Sequence, residues 1–197
     1  MNRQKILFAV LVGLLLIGIG LYQYTLPPLL HGSVIEPPKP MPDFTLTSTR
    51  GPVSLTDFRG KIVVLYFGYT GCPDVCPTTL AALRQALNGL GESASQVQVL
   101  FIAVDWKRDT PERVAAYLSA FRPDFIGLGG SQAEMDTATQ AFGIHYQLNP
   151  PDENGYYTVD HTASQQILDR QGNLVMVWPY GLTGDEMLDD LKVLIRK

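Results

Sequence analysis

The sequence has few cysteines and no excess of basic residues. Only two of its 197 residues are cysteine, Cys72 and Cys76, so a framework of several disulfides is excluded. The sequence has 15 Lys and Arg residues against 19 Asp and Glu residues. It therefore has no excess of positive charge of the kind that a protein needs to bind the nucleic acid backbone. Since 46% of the residues are apolar, a disordered or collagen-like chain is also excluded. The composition fits one ordinary domain with an additional segment.

A long apolar run stands near the amino terminus. Ile6 to Leu21 contains no polar side chain, and the residues up to Leu26 extend the run to about the length that spans a bilayer core. Arg3 and Lys5 precede it, so the positive-inside rule keeps the amino end in the cytoplasm. We predict a single-pass anchor over residues 1–26, with a cleaved signal peptide as the alternative. Either reading places the rest of the chain on the periplasmic, extracytoplasmic side of the cytoplasmic (inner) membrane.

The segment that follows the apolar run is rich in proline. Six prolines occur between Pro27 and Pro42, and this density favours an extended, polyproline-like spacer. We therefore predict a linker over residues 27–42 and a domain over residues 43–197. His31 lies in the linker, and we assign it no role because a lone linker histidine is usually solvated.

Strand and helix patterns alternate through the predicted domain. The predicted elements are a hairpin of Phe44–Leu46 and Val53–Leu55, buried strands at Lys61–Phe67 and Val97–Val104, a short strand at Phe125–Leu128, helices beginning at Pro77, Pro111 and Ser131 and after Thr183, and a hairpin of Gln165–Leu168 with Leu174–Trp178. This order predicts an α/β fold in which a central mixed sheet is covered by helices on both faces.

The two cysteines occupy the turn between the first buried strand and the first long helix. The unpaired N–H groups and the dipole of that helix stabilise a thiolate, which is the form that attacks disulfides and binds metals. A structural disulfide is the alternative interpretation, but a bridge that closes so short a loop gives little stabilisation. The position of Cys72 and Cys76 therefore favours metal or thiol chemistry.

Three motifs of the chain resemble those of the Sco family, also called SenC. The matching motifs are Gly71–Pro77 (GCPDVCP), Val104–Asp105 together with Arg108–Thr110, and Val159–Thr162 (VDHT). The resemblance extends roughly from Pro42 to Ile195. It implies a thioredoxin-like fold and a membrane-tethered copper protein that serves cytochrome c oxidase assembly. It also implies that Cys72, Cys76 and His161 hold the copper.

The chemistry of these side chains agrees with the implied metal. Cu(I) prefers thiolate ligands and accepts imidazole as a third ligand, whereas a structural zinc ion normally takes four protein ligands. The sequence leaves open whether Cu(I), Cu(II) or both are held. Trp106 and Lys107 stand where the family commonly has proline and glutamate, and Gln166 replaces a large aromatic residue. These departures bear on partner or redox behaviour and leave the implied ligands intact.

Two functions are consistent with the sequence. The first is a metallochaperone, not a turnover enzyme, that delivers copper to the copper-site subunit of cytochrome c oxidase. Its further partner would be another copper chaperone or a thioredoxin-like reductant. The second is a thiol–disulfide oxidoreductase that acts on an exported copper-site apoprotein, in which Cys72 attacks and Cys76 resolves. A peroxidase is a third reading, although no peroxidatic arrangement is evident.

His161 distinguishes the metallochaperone from the thiol–disulfide oxidoreductase, because a reductase has little need of a histidine ligand. The segment Asn149–Tyr157 precedes His161 and is predicted to be a loop or loose hairpin. Our hypothesis is that motion of this segment lets the imidazole approach and leave the two sulfurs.

Overall fold

The computed structural model describes residues 3–4, 8, 11–18 and 29–196. Most of the anchor predicted over residues 1–26 lies outside the described residues. Residues 11–18 are helical. In the part of the chain that the structure describes, no helix combines the length and the apolar character needed to cross a membrane.

A six-stranded mixed sheet forms the centre of the domain. Its strands, in spatial order, are β1 (Ser33–Pro40), β10 (Asn173–Trp178), β9 (Gln165–Leu168), β4 (Ile62–Gly68), β5 (Val97–Ala103) and β6 (Ile126–Leu128). The β4, β5 and β6 strands are parallel, whereas β9 is antiparallel to β4 and to β10. Every residue of β4 and β5 is buried, as expected for central strands of a sheet covered on both faces.

Helices cover both faces of this sheet. They are α1 (Val75–Leu90), α2 (Pro111–Ser119), α3 (Gln132–Phe142) and α4 (Gly184–Arg196). Phe67 of β4 packs on Phe142 of α3. The next side chain back along the strand, Tyr66, points to the opposite face, where α1 lies. The predicted α/β fold with a central mixed sheet and flanking helices is therefore confirmed.

The beginnings of two helices match the local sequence signals. The Thr110 side chain accepts a hydrogen bond from the backbone of Arg113 at the start of α2. Ser131 and Glu134 form a reciprocal capping box at the start of α3, which satisfies N–H groups that have no partner within the helix. In contrast, α1 begins at Val75, ahead of the proline that was predicted to open it.

Part of the proline-rich segment is a strand of the sheet. β1 pairs antiparallel with β10, with an irregularity between Val34 and Lys39. Because β1 is an edge strand, its prolines can lack an N–H group without removing a bond from the interior of the sheet. The segment is extended, as predicted, but residues 33–40 pair with the domain instead of forming a free spacer.

Two short hairpins lie outside the central sheet. One joins β2 (Thr45–Ser48) to β3 (Gly51–Ser54), as predicted. The other joins β7 (Tyr146–Leu148) to β8 (Val159–His161). The second hairpin brings residues from the far end of the chain to the carboxyl end of β4.

Candidate metal centre

Cys72, Cys76 and His161 lie together at the carboxyl end of β4. One ligand atom from each residue lies within 4.8 Å of the other two. Cys72 is in the turn after β4, Cys76 is in the first turn of α1, and His161 is the last residue of β8. The structure thus brings together the three residues that the sequence singled out, although they come from three separate elements.

The two cysteines differ in exposure. The Cys76 side chain is completely buried, whereas Cys72 is half-buried, and both are free thiols in the structure. The backbone N–H of Cys76 donates a hydrogen bond to the Cys72 sulfur at 3.4 Å. Cys76 Sγ lies 3.6 Å from His161 Nε2. Solvent therefore reaches the group through Cys72 and His161, which are both partly exposed.

The neighbouring groups also give the two thiols different acidities. A hydrogen bond from the Cys76 thiol, helped by the backbone N–H groups of Cys76 and Asp74, lowers the pKa of Cys72 to about 5. The contact with Cys72 and its own burial raise the pKa of Cys76. Near neutral pH, Cys72 is consequently a thiolate and Cys76 keeps its proton, which is the order expected for an attacking thiol and a resolving thiol.

The His161 ring is oriented so that one nitrogen faces the sulfurs. Its Nδ1 lies 3.1 Å from the carbonyl oxygen of Thr162. A carbonyl only accepts hydrogen bonds, so Nδ1 is the donor in this contact. In the neutral imidazole, Nε2 then keeps the lone pair that faces Cys76. Tyr66 and Tyr69 pack edge to face against the ring, with centroids 6.4 Å and 5.8 Å away. These contacts hold the imidazole ready to bind a metal through Nε2.

The β7–β8 hairpin that carries the histidine is fastened to the end of β5. The Tyr157 hydroxyl donates a hydrogen bond of 2.8 Å to Asp105, a completely buried residue that also accepts a bond from Arg108. The Arg108 guanidinium lies 3.6 Å from the centre of the Tyr157 ring. Asp105 belongs to a motif that carries the family resemblance, whereas Tyr157 lies outside those motifs and was missed. No local pattern pairs the two residues, which are 52 positions apart.

Tyr157→Phe is expected to loosen the hairpin without unfolding the domain. Loss of a hydrogen bond to a buried carboxyl group corresponds to about 1.4 kcal/mol, or about a tenfold change in a local opening equilibrium. Amide hydrogen exchange across residues 143–163 should therefore quicken about tenfold, with exchange in α4 unchanged. Tyr156→Phe is the matched control, since Tyr156 is the adjacent residue and is exposed. Equal exchange in the two variants would show that Tyr157 does not fasten the hairpin.

The donor set of two sulfurs and one imidazole nitrogen suits a soft metal ion. Two thiolates with a single imidazole match the preference of Cu(I). A structural zinc site would need a fourth protein ligand, and the group found among the described residues has three donors. The residues present therefore fit copper better than zinc.

A thioredoxin-like α/β domain with a Cys–Cys–His group at its first strand-to-helix turn is the class of protein that the fold and the site define. The SCO1/SenC family model matches residues 33–196. The chain therefore belongs to the SCO1/SenC family.

Individual members of the family agree with this assignment. Over 153 residues the chain is 35% identical to the mitochondrial protein SCO2 homolog of Bos taurus, and the match covers 76% of this chain and 58% of that protein. The chain thus spans less than two thirds of that relative. Apo Sco1 from Thermus thermophilus superposes with a TM-score of 0.78 at 41% identity, covering 85% of this chain and 98% of that one. Bradyrhizobium japonicum ScoI with copper bound gives 0.73 at 37% identity, covering 79% and 99%.

Proposed function

We propose that this protein binds copper through Cys72, Cys76 and His161 and passes it to the copper-site subunit of cytochrome c oxidase during assembly. The observation that carries the proposal is that these three donors lie within 4.8 Å of one another at the carboxyl end of β4. Membership of the SCO1/SenC family supports it, as does the similarity to a ScoI structure that has copper bound. Copper is the cargo of this function, taken up from a donor chaperone and released to the client.

The geometry favours exchange of ligands with a partner. The half-buried Cys72 is the ligand that an incoming thiolate can reach, whereas Cys76 is closed off by the core. The neutral imidazole of His161 is the weaker ligand for Cu(I) compared with the two thiolates. A partner can therefore displace the ligands one at a time, and copper never has to become free.

The proposal extends to the arrangement of the chain at the membrane. Residues 1–26 would form a single-pass anchor, residues 27–32 the connection, and the chain from β1 onwards the copper-binding domain on the periplasmic side. The apolar run from Ile6 to Leu21 and the basic residues before it support this topology. A tether raises the local concentration of the domain near a client that is itself in the membrane.

The difference between the two thiols favours thiol–disulfide exchange as the second candidate function. The Cys72 thiolate would attack a substrate disulfide, and one substrate sulfur would leave as a thiol. Cys76 would then attack the mixed disulfide, which releases the reduced substrate and forms a Cys72–Cys76 disulfide. A thioredoxin-like reductant would have to supply two electrons to restore the pair.

Copper stoichiometry tests the main proposal. The full chain, purified in detergent and reduced without oxygen, is titrated with Cu(I) against a coloured chelator. We expect one tightly held copper per chain, and none in a Cys72→Ser/Cys76→Ser double variant. A wild-type protein that retains no more copper than the double variant would overturn the copper function and leave disulfide exchange as the activity to assay.

A further inference from the structure

A buried tyrosine hydroxyl without a hydrogen-bond partner lies behind the proposed copper site. Tyr66 of β4 is completely buried, and its hydroxyl oxygen has no partner among the residues that the structure describes. Its ring packs edge to face on Phe101 and on His161, with centroids 5.6 Å and 6.4 Å away. The phenol thus stands between the hydrophobic core and the three donors.

The Tyr66 side chain and the Cys76 sulfur lie on the same face of β4, the face to which position 68 also points. Burial raises the pKa of the phenol, and the side chains that influence it at close range are Cys76 and Thr79. The backbone of β4 approaches the Cys76 sulfur closely on this face of the sheet. A methyl group added at Gly68 would lie only 2.8 Å from Cys76 Sγ. The Cys76 sulfur therefore lies against β4, on the face from which the Tyr66 side chain projects.

A buried hydroxyl group without a hydrogen-bond partner is rare in a protein core. Leaving such a group without a hydrogen bond costs about 1–3 kcal/mol, and buried polar groups are paired in the great majority of cases. A phenylalanine would fill the same space and avoid this cost. The hydroxyl is thus expected to gain a partner in another state of the protein.

The state that supplies this partner is the one in which Cys76 binds a metal. A thiol is a weak acceptor of hydrogen bonds, whereas a hydrogen bond to an ionised acceptor is roughly twice as strong as one between neutral groups. When Cu(I) binds, the S–H bond of Cys76 breaks, the proton passes to solvent and a Cu–S bond forms, with no change in oxidation state. The sulfur that remains carries the negative charge that a phenol donor stabilises.

We propose that Tyr66 is a positioning residue whose hydroxyl donates a hydrogen bond to the Cys76 sulfur in the copper-bound protein. This inference rests on the proposed copper function and adds to it a residue outside the ligand set. The hydrogen bond withdraws electron density from the sulfur. It therefore favours Cu(I) over Cu(II), since hydrogen bonding around a ligating sulfur tunes the potential of a copper site.

Tyr66→Phe and Tyr117→Phe form the matched pair of variants that tests this role. The Tyr117 hydroxyl is also buried without a partner, and its ring packs on Phe101 and Phe121. The Tyr66 ring packs on the proposed ligand His161, whereas the contacts of the Tyr117 ring are with these two phenylalanines. Both substitutions remove an unpartnered hydroxyl from the same region and keep the ring, but only Tyr66→Phe removes the hydroxyl that we assign to the Cys76 sulfur.

Three measurements on the full chain in detergent separate a copper role from a structural one. The unfolding temperature of the copper-free protein should be unchanged or raised in both variants, because each loses an unsatisfied group. The Cu(I) affinity should fall about tenfold in Tyr66→Phe alone, as expected for one lost hydrogen bond to a charged acceptor. The reduction potential of bound copper should fall in the same variant and stay constant in Tyr117→Phe.

The opposite results would overturn the inference. A Tyr66→Phe protein that unfolds at a lower temperature without copper, yet binds Cu(I) as tightly as the wild type, would make Tyr66 a structural residue. Equal affinities and potentials in all three proteins would show that the hydroxyl does not reach the metal-bound sulfur. A wild-type protein that binds no copper would refute the proposed function as well, so the two failures are distinguishable.

Discussion

His161→Ala is expected to weaken Cu(I) binding by at least about 100-fold, since removal of groups that only support a ligand already costs 10–100-fold in metal affinity. Thiol–disulfide exchange should remain within about twofold of the wild type, because its rate depends on the attacking thiolate and on access to it. The Cys72 thiolate owes its low pKa chiefly to the Cys76 thiol and to backbone N–H groups, and His161 is the smallest of its contributors. Replacement of His161 should therefore remove tight copper binding and leave thiol–disulfide exchange intact.

His145→Ala is the control for that experiment. His145 lies on the same hairpin, is exposed, and does not belong to the Cys–Cys–His group. Cu(I) competition and the rate of reaction with a small aromatic disulfide would be measured on both variants in parallel. If His161→Ala kept its copper but lost disulfide exchange, the imidazole would serve redox chemistry, and the copper proposal would lose its third ligand.

Much of the sheet and its helices follows from local signals. The runs Lys61–Phe67 and Val97–Val104 are continuous in β-branched and aromatic residues, and they form the two fully buried central strands. Thr110 and Ser131 cap helices because their hydroxyls accept a bond from a nearby N–H group. The start of α1 was predicted too late because the prediction put Pro77 at the first helical position, whereas the helix begins at Val75 and has the proline at its third position. Such features involve residues close in sequence, so the sequence alone predicts them well.

Features that depend on distant residues were not predictable in the same way. Cys76 and His161 are 85 positions apart, and it was the family resemblance, not their spacing, that joined them. The strand β1 was not predicted because its prolines are typical of a free spacer. It forms because β10 provides a neighbouring strand with which it pairs. The bond between Tyr157 and Asp105 spans 52 positions. In each case the information lies in the pairing of two segments, which no local pattern contains.

The start of β1 is held by a single buried carboxyl group on the last helix. Asp190 of α4 is completely buried and accepts three hydrogen bonds. The donors are the backbone N–H groups of His31 and Gly32, each at 2.9 Å, and the indole N–H of Trp178 at 2.8 Å. The helix, the strand β10 and the segment that precedes β1 thus meet at one side chain, at the place where the chain enters the domain.

Asp190→Ala is expected to lower the unfolding free energy by about 3–5 kcal/mol, because it leaves three donors without a buried acceptor. For a domain of this size the loss corresponds to a fall of about 10 °C in unfolding temperature, which circular dichroism of the full chain would measure. Asp189→Ala is the matched control, since Asp189 is exposed and forms a surface ion pair with Lys192 at 3.5 Å. It should shift the unfolding temperature by less than about 2 °C. Similar shifts in the two variants would mean that the edge strand is held by β10 alone. A large difference would establish that α4 fixes the point at which the chain enters the domain.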